Sequence, residues 1–274
     1  MTTHTSAYKK SSFGPAFLFL NKERREALAV YYAFCRLMDD IADEPNVSNR
    51  KEQLYFWQEE IARVYANQAK TDLGKQLTKL VKDFDISQDR FLWLIEGMQA
   101  DIQGRTYKTF EELEWYLWRV AGIVGLATLD ILGIKGEKAV HLAQSLGFAV
   151  QLTNIVRDVW EDADLGRVYL PEDLLAAHSL SREDVLSKKQ ADSLALVLQD
   201  LAEKSKLFYK QAEQILRTLP KRKVIACYVM GFVYRQNLAK IEKTHFQFAK
   251  AIKLSKLEKF KYSLYALFNP SFTD

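Results

Sequence analysis

Apolar residues recur along this chain at i, i+3, i+4 and i+7, the spacing of amphipathic helices, over most of its length. The pattern predicts helices over 22–42, 50–69, 72–82, 88–103, 110–132, 137–163, 182–218, 222–242 and 250–266. Short polar connections such as DFDISQ and GIKGEK separate them, and EPNVSN stops the first. Only 5 Pro and 11 Gly occur, and no Pro lies between Pro45 and Pro171, which is too little turn punctuation for a sheet protein. The expected architecture is all-α. No composition shift or linker divides the chain, so residues 1–274 are expected to form one domain. The helical rhythm breaks between Asp164 and Ala177, where Gly166 and Pro171 predict a loop.

Two helices carry a second pattern on top of the first. In QLTNIVRDVWED the apolar residues Leu152, Ile155, Val156 and Val159 mark the core face. Counting from Gln151 at about 100° per residue, Asn154 falls at about 300°, Asp158 at about 340° and Asp162 at about 20°. One narrow stripe therefore carries two amides and two carboxylates. In YYAFCRLMDDIADE, counted from Tyr32, Arg36 falls at about 40°, Asp39 at about 340° and Asp43 at about 20°, with Asp40 off to the side at about 80°. Each helix so offers an i, i+4 carboxylate pair with an arginine close by, Arg36 or Arg157.

Like charges at i, i+4 destabilise an isolated helix by a few tenths of a kcal/mol. Taken alone, DDIADE reads as a solvated acidic helix end. Two matched stripes on apolar helices point instead to cations held between them. Carboxylate and amide oxygens suit Mg²⁺, which is usually shared with substrate phosphates rather than caged by protein. Arginines beside them suit bidentate phosphate contacts. The pattern predicts a Mg²⁺-bridged diphosphate inside a helical bundle.

Composition adds limits. Hydrophobic residues make up 48%, so disorder is not the default. A net charge of +4 does not support a nucleic-acid partner. Cys35 and Cys227 both lie in apolar helical patterns and are expected to be buried free thiols in a reducing compartment. The start MTTHTSAYKK is polar, with no signal-peptide pattern, and no uninterrupted apolar run suggests a spanning helix. The expected location is cytoplasmic. The run AKAIKLSKLEKFKYSLYALF is basic and amphipathic. It reads first as a packed terminal helix with a lysine face. Its functional alternative is peripheral contact with the inner surface of a membrane.

The motifs resemble those of the squalene/phytoene synthase family, the head-to-head prenyl synthases. YAFCRLMDDIAD is similar to the first aspartate-rich motif and QLTNIVRDVWEDADLGRVYLP to the second. SSFGPAFLFLNKERREALAVYYAFCR is similar to the amino-terminal block, with Asn21 where Pro is common. EWYLWRVAGIVG is similar to the middle block, with Trp118 where Tyr is frequent. The resemblance implies an isoprenoid synthase fold around a central cavity, two prenyl diphosphate substrates and Mg²⁺. It implies metal ligands at Asp39, Asp43, Asn154, Asp158 and Asp162. It implies diphosphate contacts from Tyr32, Arg36 and Arg157, with Ser12 and Tyr234 near substrate and Gln151 on the same face. Phe13 and Tyr116 would be cavity wall, and Arg167 and Tyr169 would lie just beyond Asp162. CRLMDDIADEP and NIVRDVWEDADLGRVYLPEDLL are most similar to the bacterial branch that makes presqualene diphosphate, which favours two farnesyl diphosphates. Phytoene or dehydrosqualene synthesis is the alternative. A non-catalytic binding or assembly role is remote, because both motifs are intact. No Gly-rich dinucleotide fingerprint is present, which excludes only a Rossmann-type NADPH site.

Overall fold

The structure, a computed structural model, describes residues 20–43, 49–188, 192–269 and 271–272. Ser12 and Phe13 lie outside them. Among the described residues the regular elements are helical: α1 Lys22–Asp43, α2 Arg50–Tyr65, α3 Asp72–Phe84, α4 Asp89–Ile102, α5 Phe110–Leu117, a π-helical turn Trp118–Gly122, α6 Ile123–Leu132, α7 Glu137–Asp164, α8 Glu172–Ala177, α9 Arg182–Leu186, α10 Asp192–Leu216, α11 Lys221–Glu242 and α12 Lys256–Phe268. The all-α expectation is met.

Local chemistry sets the ends. Thr71 caps α3 by accepting from the Gly74 amide at 2.9 Å. Ser181 with Asp184, and Ser255 with Glu258, form reciprocal capping boxes at α9 and α12. At the other end of α6, Gly133 takes φ 73, a left-handed stop that a side chain would strain.

The predicted boundaries shift where such local contacts win. α2 ends at Tyr65 rather than 69, because Asn67 turns left-handed at φ 57. The stretch expected as one helix over 182–218 is two, with Lys188 left-handed at φ 55 after α9. The expected loop 164–177 contains the short α8. The last helix starts at Lys256 rather than 250. Asn237 pins the extended run before it, accepting from the Leu254 amide at 3.1 Å and donating to the Ile252 carbonyl at 2.9 Å.

α7 is the axis of the bundle. Leu142, Phe148, Ala149, Leu152, Thr153, Ile155 and Val156 are all fully or nearly fully buried, as expected for a central helix whose polar stripe faces an internal cavity. Its buried hydroxyl is satisfied: Thr153 donates to the Ala149 carbonyl at 2.8 Å and meets Tyr209 at 3.0 Å. α10 packs along α7, and α6, α11 and the π turn complete its surroundings. The π turn breaks the predicted 110–132 helix at WRVAG. The stretch Phe110–Leu132 is long and apolar enough to cross a membrane by length and composition, which the run-length reading of the sequence did not register. More than half of it is buried within the bundle, so its apolar residues are accounted for by core packing.

α12 departs from its expected lysine face. Ser263 and Ala266 face the bundle, and Leu257, Phe260, Leu264 and Phe268 face outward.

Candidate active site

A cavity of about 460 Å³ opens between α1, α4, the π turn, α6, α7 and α11. Its deep part is walled by Leu28, Leu94, Val124, Leu129, Leu142 and Leu146. Its other end is polar. Tyr32, Arg36, Asp39 and Asp43 come from α1, Tyr116 from α5, and Gln151, Asn154, Arg157, Asp158 and Asp162 from α7. Arg167 and Tyr169 come from the loop after α7, and Tyr234 from α11. Every candidate residue among the described ones therefore lines one cavity, and both acidic stripes face it. Asp40 does not line it. That agrees with its angle off the stripe, and it pairs with Arg36 at 2.6 Å.

Arginines tie this end together. Arg167 donates to the Asp43 carboxylate at 2.6 Å and to the Ala42 carbonyl at 2.8 Å, joining the loop after α7 to the end of α1. Arg157 pairs with its neighbour Asp158, Nε to Oδ1 at 2.8 Å. Lys253 Nζ lies 3.8 Å from Asp158 and 2.9 Å from Glu161. Replacing Arg167 with Lys keeps the charge but loses the fork that reaches two acceptors. The expected result is a rise in KM of about tenfold with a smaller change in kcat, read from steady-state kinetics.

The carboxyls are crowded. Burial, with the Asp43 charge behind it, pushes Asp39 up to about 7, although Arg36 opposes the shift. Burial and the Asp158 charge push Asp162 well above the usual carboxylate range. A carboxyl raised this way holds its proton longer in the folded state than in the unfolded one. Stability is then lost as pH rises from the ordinary value of 3.8 through about 7, and is level above. In EDTA, Asp39→Asn is expected to gain on the parent chain across that window, by about 1 kcal/mol or more at pH 8, a few degrees in Tm. Mg²⁺ should narrow the difference. Thermal melts from pH 5 to about 8 check the sign.

The residues present fit a Mg²⁺ ion. The Asn154 side-chain oxygen is buried with no hydrogen-bond partner among the described residues, while its amide nitrogen donates to Gln151 at 3.2 Å. An orphaned oxygen beside carboxylates is the donor chemistry of a hard cation. Among the described residues no three acidic groups converge into a ready-made metal cluster. The two stripes face one another across the cavity, which suits ions shared with a diphosphate rather than held by protein alone.

One residue of this end was not anticipated. Asp101, on α4, accepts from the Tyr116 hydroxyl at 3.0 Å and the Tyr169 hydroxyl at 2.8 Å. Those two rings stack at 4.9 Å. Burial pushes Asp101 up to about 6, against the pull of Arg167 and the two hydroxyls. A signal existed: Leu94, Met98 and Asp101 share one face of α4, and all three line the cavity.

Known proteins resolve what this arrangement belongs to. The family profile described as squalene/phytoene synthase matches residues 7–258. The chain belongs to the squalene/phytoene synthase family. It is 34% identical over 250 residues to a chloroplastic phytoene synthase of an Oncidium hybrid cultivar, covering 88% of this chain and 61% of that protein. It is 33% identical over 256 residues to phytoene synthase 1 of Solanum lycopersicum, covering 90% and 62%. The chain thus spans about three fifths of the length of the curated relatives it matches. Among solved structures, a ligand-bound dehydrosqualene synthase superimposes with a TM-score of 0.85 at 26% identity, over 96% of this chain and 94% of that one. The squalene synthase HpnC from Alicyclobacillus acidocaldarius shares the fold, with a TM-score of 0.82 at 24% identity over 89% and 92%. Squalene/phytoene synthase family members are prenyltransferases.

Proposed function

We propose that the chain condenses two prenyl diphosphates head to head. The observation that carries this is the cavity itself: two acidic helix stripes face its polar end, and apolar walls form the rest. Asp39 and Asp43 on one side, and Asn154, Asp158 and Asp162 on the other, would hold Mg²⁺. When bound, Mg²⁺ neutralises charge on a leaving diphosphate.

The chain's own residues do the remainder. Arg36, Arg157 and Arg167 offer forked donors to phosphate oxygens, with Tyr32, Gln151 and Tyr234 beside them. In the first substrate the allylic C–O bond breaks, and diphosphate leaves with the electron pair. The double bond of the second substrate supplies the pair for the new C–C bond. Loss of one proton closes a cyclopropane that still carries the second diphosphate. The leucine and valine walls exclude water that would quench the cation. The stacked Tyr116 and Tyr169 rings lie beside its path and can face positive charge.

For chain length we favour two C15 farnesyl diphosphates. The apolar wall of α7 runs from Asn154 down to Leu142, twelve residues or about 18 Å of helix, before leucines close the floor. The dehydrosqualene synthase that superimposes over nearly all of both chains also supports a C30 product. A C20 reading is favoured by the phytoene synthases at 33–34% identity.

Incubation with Mg²⁺ and each diphosphate, with and without NADPH, followed by phosphatase treatment and mass spectrometry, decides. Presqualene alcohol from farnesyl diphosphate is the expected product, with squalene only if NADPH serves a second step. Phytoene from geranylgeranyl diphosphate would move the chain to the C20 reading. No product from either would overturn the proposal.

A further inference from the structure

α12 is amphipathic in the wrong sense for a helix that only packs against its own protein. Counted at about 100° per residue, Leu257, Leu264 and Phe268 fall within about 40° of one another, with Phe260 alongside. They form the outermost line of the helix. Leu257 is 77% exposed, Phe260 61% and Phe268 76%. The opposite line, facing the bundle, holds the small residues Ser263 and Ala266. Tyr262 and Leu267 flank that line and pack partly against the core, so α12 has an apolar side toward the bundle and a second line of large apolar side chains left to solvent, which an ordinary surface helix lacks.

The helix is held firmly in that pose. Lys240 on α11 pairs with Glu258 at 2.9 Å, and Phe232 on α11 contacts the Tyr262 and Tyr265 rings. Five lysines and a single acid, Glu258, lie between Lys250 and Phe268. The pair with Lys240 leaves that acid compensated. Lys256 and Lys261 are exposed beside the apolar line. The segment leading into α12 carries Lys253, 3.8 Å from Asp158, so the helix starts beside the polar end of the cavity.

We infer that α12 docks the protein on an anionic lipid bilayer, with Leu257, Phe260, Leu264 and Phe268 entering the headgroup–acyl boundary and Lys256 and Lys261 meeting lipid phosphate. The charge favours this occupant over a second copy of the chain. A two-fold pairing of this face would bring lysines onto lysines. A helix lying in the interface, apolar side down with lysines at its flanks, is the arrangement that binds anionic membranes. Docking there sets the cavity's polar end near the lipid surface. That suits substrates with apolar tails and a product more apolar still, a benefit that rests on the proposed function; the docking itself does not.

The experiment is co-sedimentation of the full chain with phosphatidylcholine vesicles, with and without phosphatidylglycerol, at low and high salt. The chain is expected to sediment with the anionic vesicles and to be released by salt. The triple substitution Leu257→Ser, Phe260→Ser, Phe268→Ser should lower partitioning by about tenfold or more. Lys256→Glu with Lys261→Glu should abolish the preference for anionic lipid even where the apolar variant folds poorly, and thermal melts identify that case. Prenyl transfer in detergent is read in parallel, so a silent enzyme that still binds vesicles separates failure of the functional reading from failure of this one. No binding to anionic vesicles, or binding unchanged in both variants, overturns the inference. So does a dimer of the parent chain, seen by light scattering without lipid, that the apolar substitutions dissolve.

Discussion

Asp158→Asn is expected to lower kcat by about a thousandfold or more while the helices stay folded. The substitution keeps the side chain's shape and removes one charge from the end of the cavity. Asp158 lies on the α7 stripe between Asn154 and Asp162, and its carboxylate is met by Arg157 and approached by Lys253. Neutralising a leaving diphosphate by a metal ion supplies several kcal/mol of transition-state stabilisation. At about 1.4 kcal/mol per factor of ten, loss of most of that reaches the expected size. Folding should not suffer in proportion. Asp158 lies at the polar end of the cavity, and removing its charge relieves part of what pushes Asp162 up. Circular dichroism and a thermal melt alongside the rate show whether activity and fold part company. A rate within tenfold of the parent would remove Asp158 from the metal site.

Gly147→Ala should destabilise the bundle by overpacking one backbone against another. A Cβ at Gly147 would sit 2.9 Å from the Ala121 carbonyl carbon and the Gly122 nitrogen, and 3.0 Å from the Ala121 oxygen. These are backbone atoms of the π turn, which have no rotamer to change. Either the turn lifts from α7 or α7 moves, and both line the cavity. Overpacking of this kind costs about 1–3 kcal/mol, here at the upper end because the obstacle is main chain. For a chain of this size that is a fall in Tm of about 5–10 °C. Gly125→Ala is the control. Its new methyl would lie 3.4 Å from the Ala143 Cα, a contact the neighbour can accommodate, and its melt should stay within about 3 °C of the parent.

The contrast between those glycines shows what the sequence could and could not say. GFAVQLTN reads as continuous helix, and it is. Nothing in that string reveals that another backbone lies against residue 147. The π turn was hidden for a related reason, since WRVAG holds no Pro to break the helical pattern and the extra residue per turn leaves no compositional mark. The acidic stripes were legible because helical geometry converts spacing directly into direction. Asp39, Asp43, Asp158 and Asp162 needed only the 3.6-residue repeat to be placed on common faces, and the structure brings those faces to one cavity. Asp101 was passed over because it stands alone. Its significance comes from Tyr116 and Tyr169, which reach it from two other elements. The lysines of α12 were legible, but its orientation was not. An amphipathic pattern gives two faces and does not say which one the protein covers.

The most direct test of the central claim is binding rather than turnover. Farnesyl thiodiphosphate, whose bridging sulfur slows ionisation, would be titrated calorimetrically in Mg²⁺ and in EDTA, into the parent chain, Asp39→Asn and Asp158→Asn. If the two stripes jointly hold a metal-bridged diphosphate, Mg²⁺ should tighten parent binding by about a hundredfold, roughly 3 kcal/mol, and either substitution should remove most of that gain. Affinity indifferent to Mg²⁺, or a gain that survives loss of one stripe intact, would contradict it.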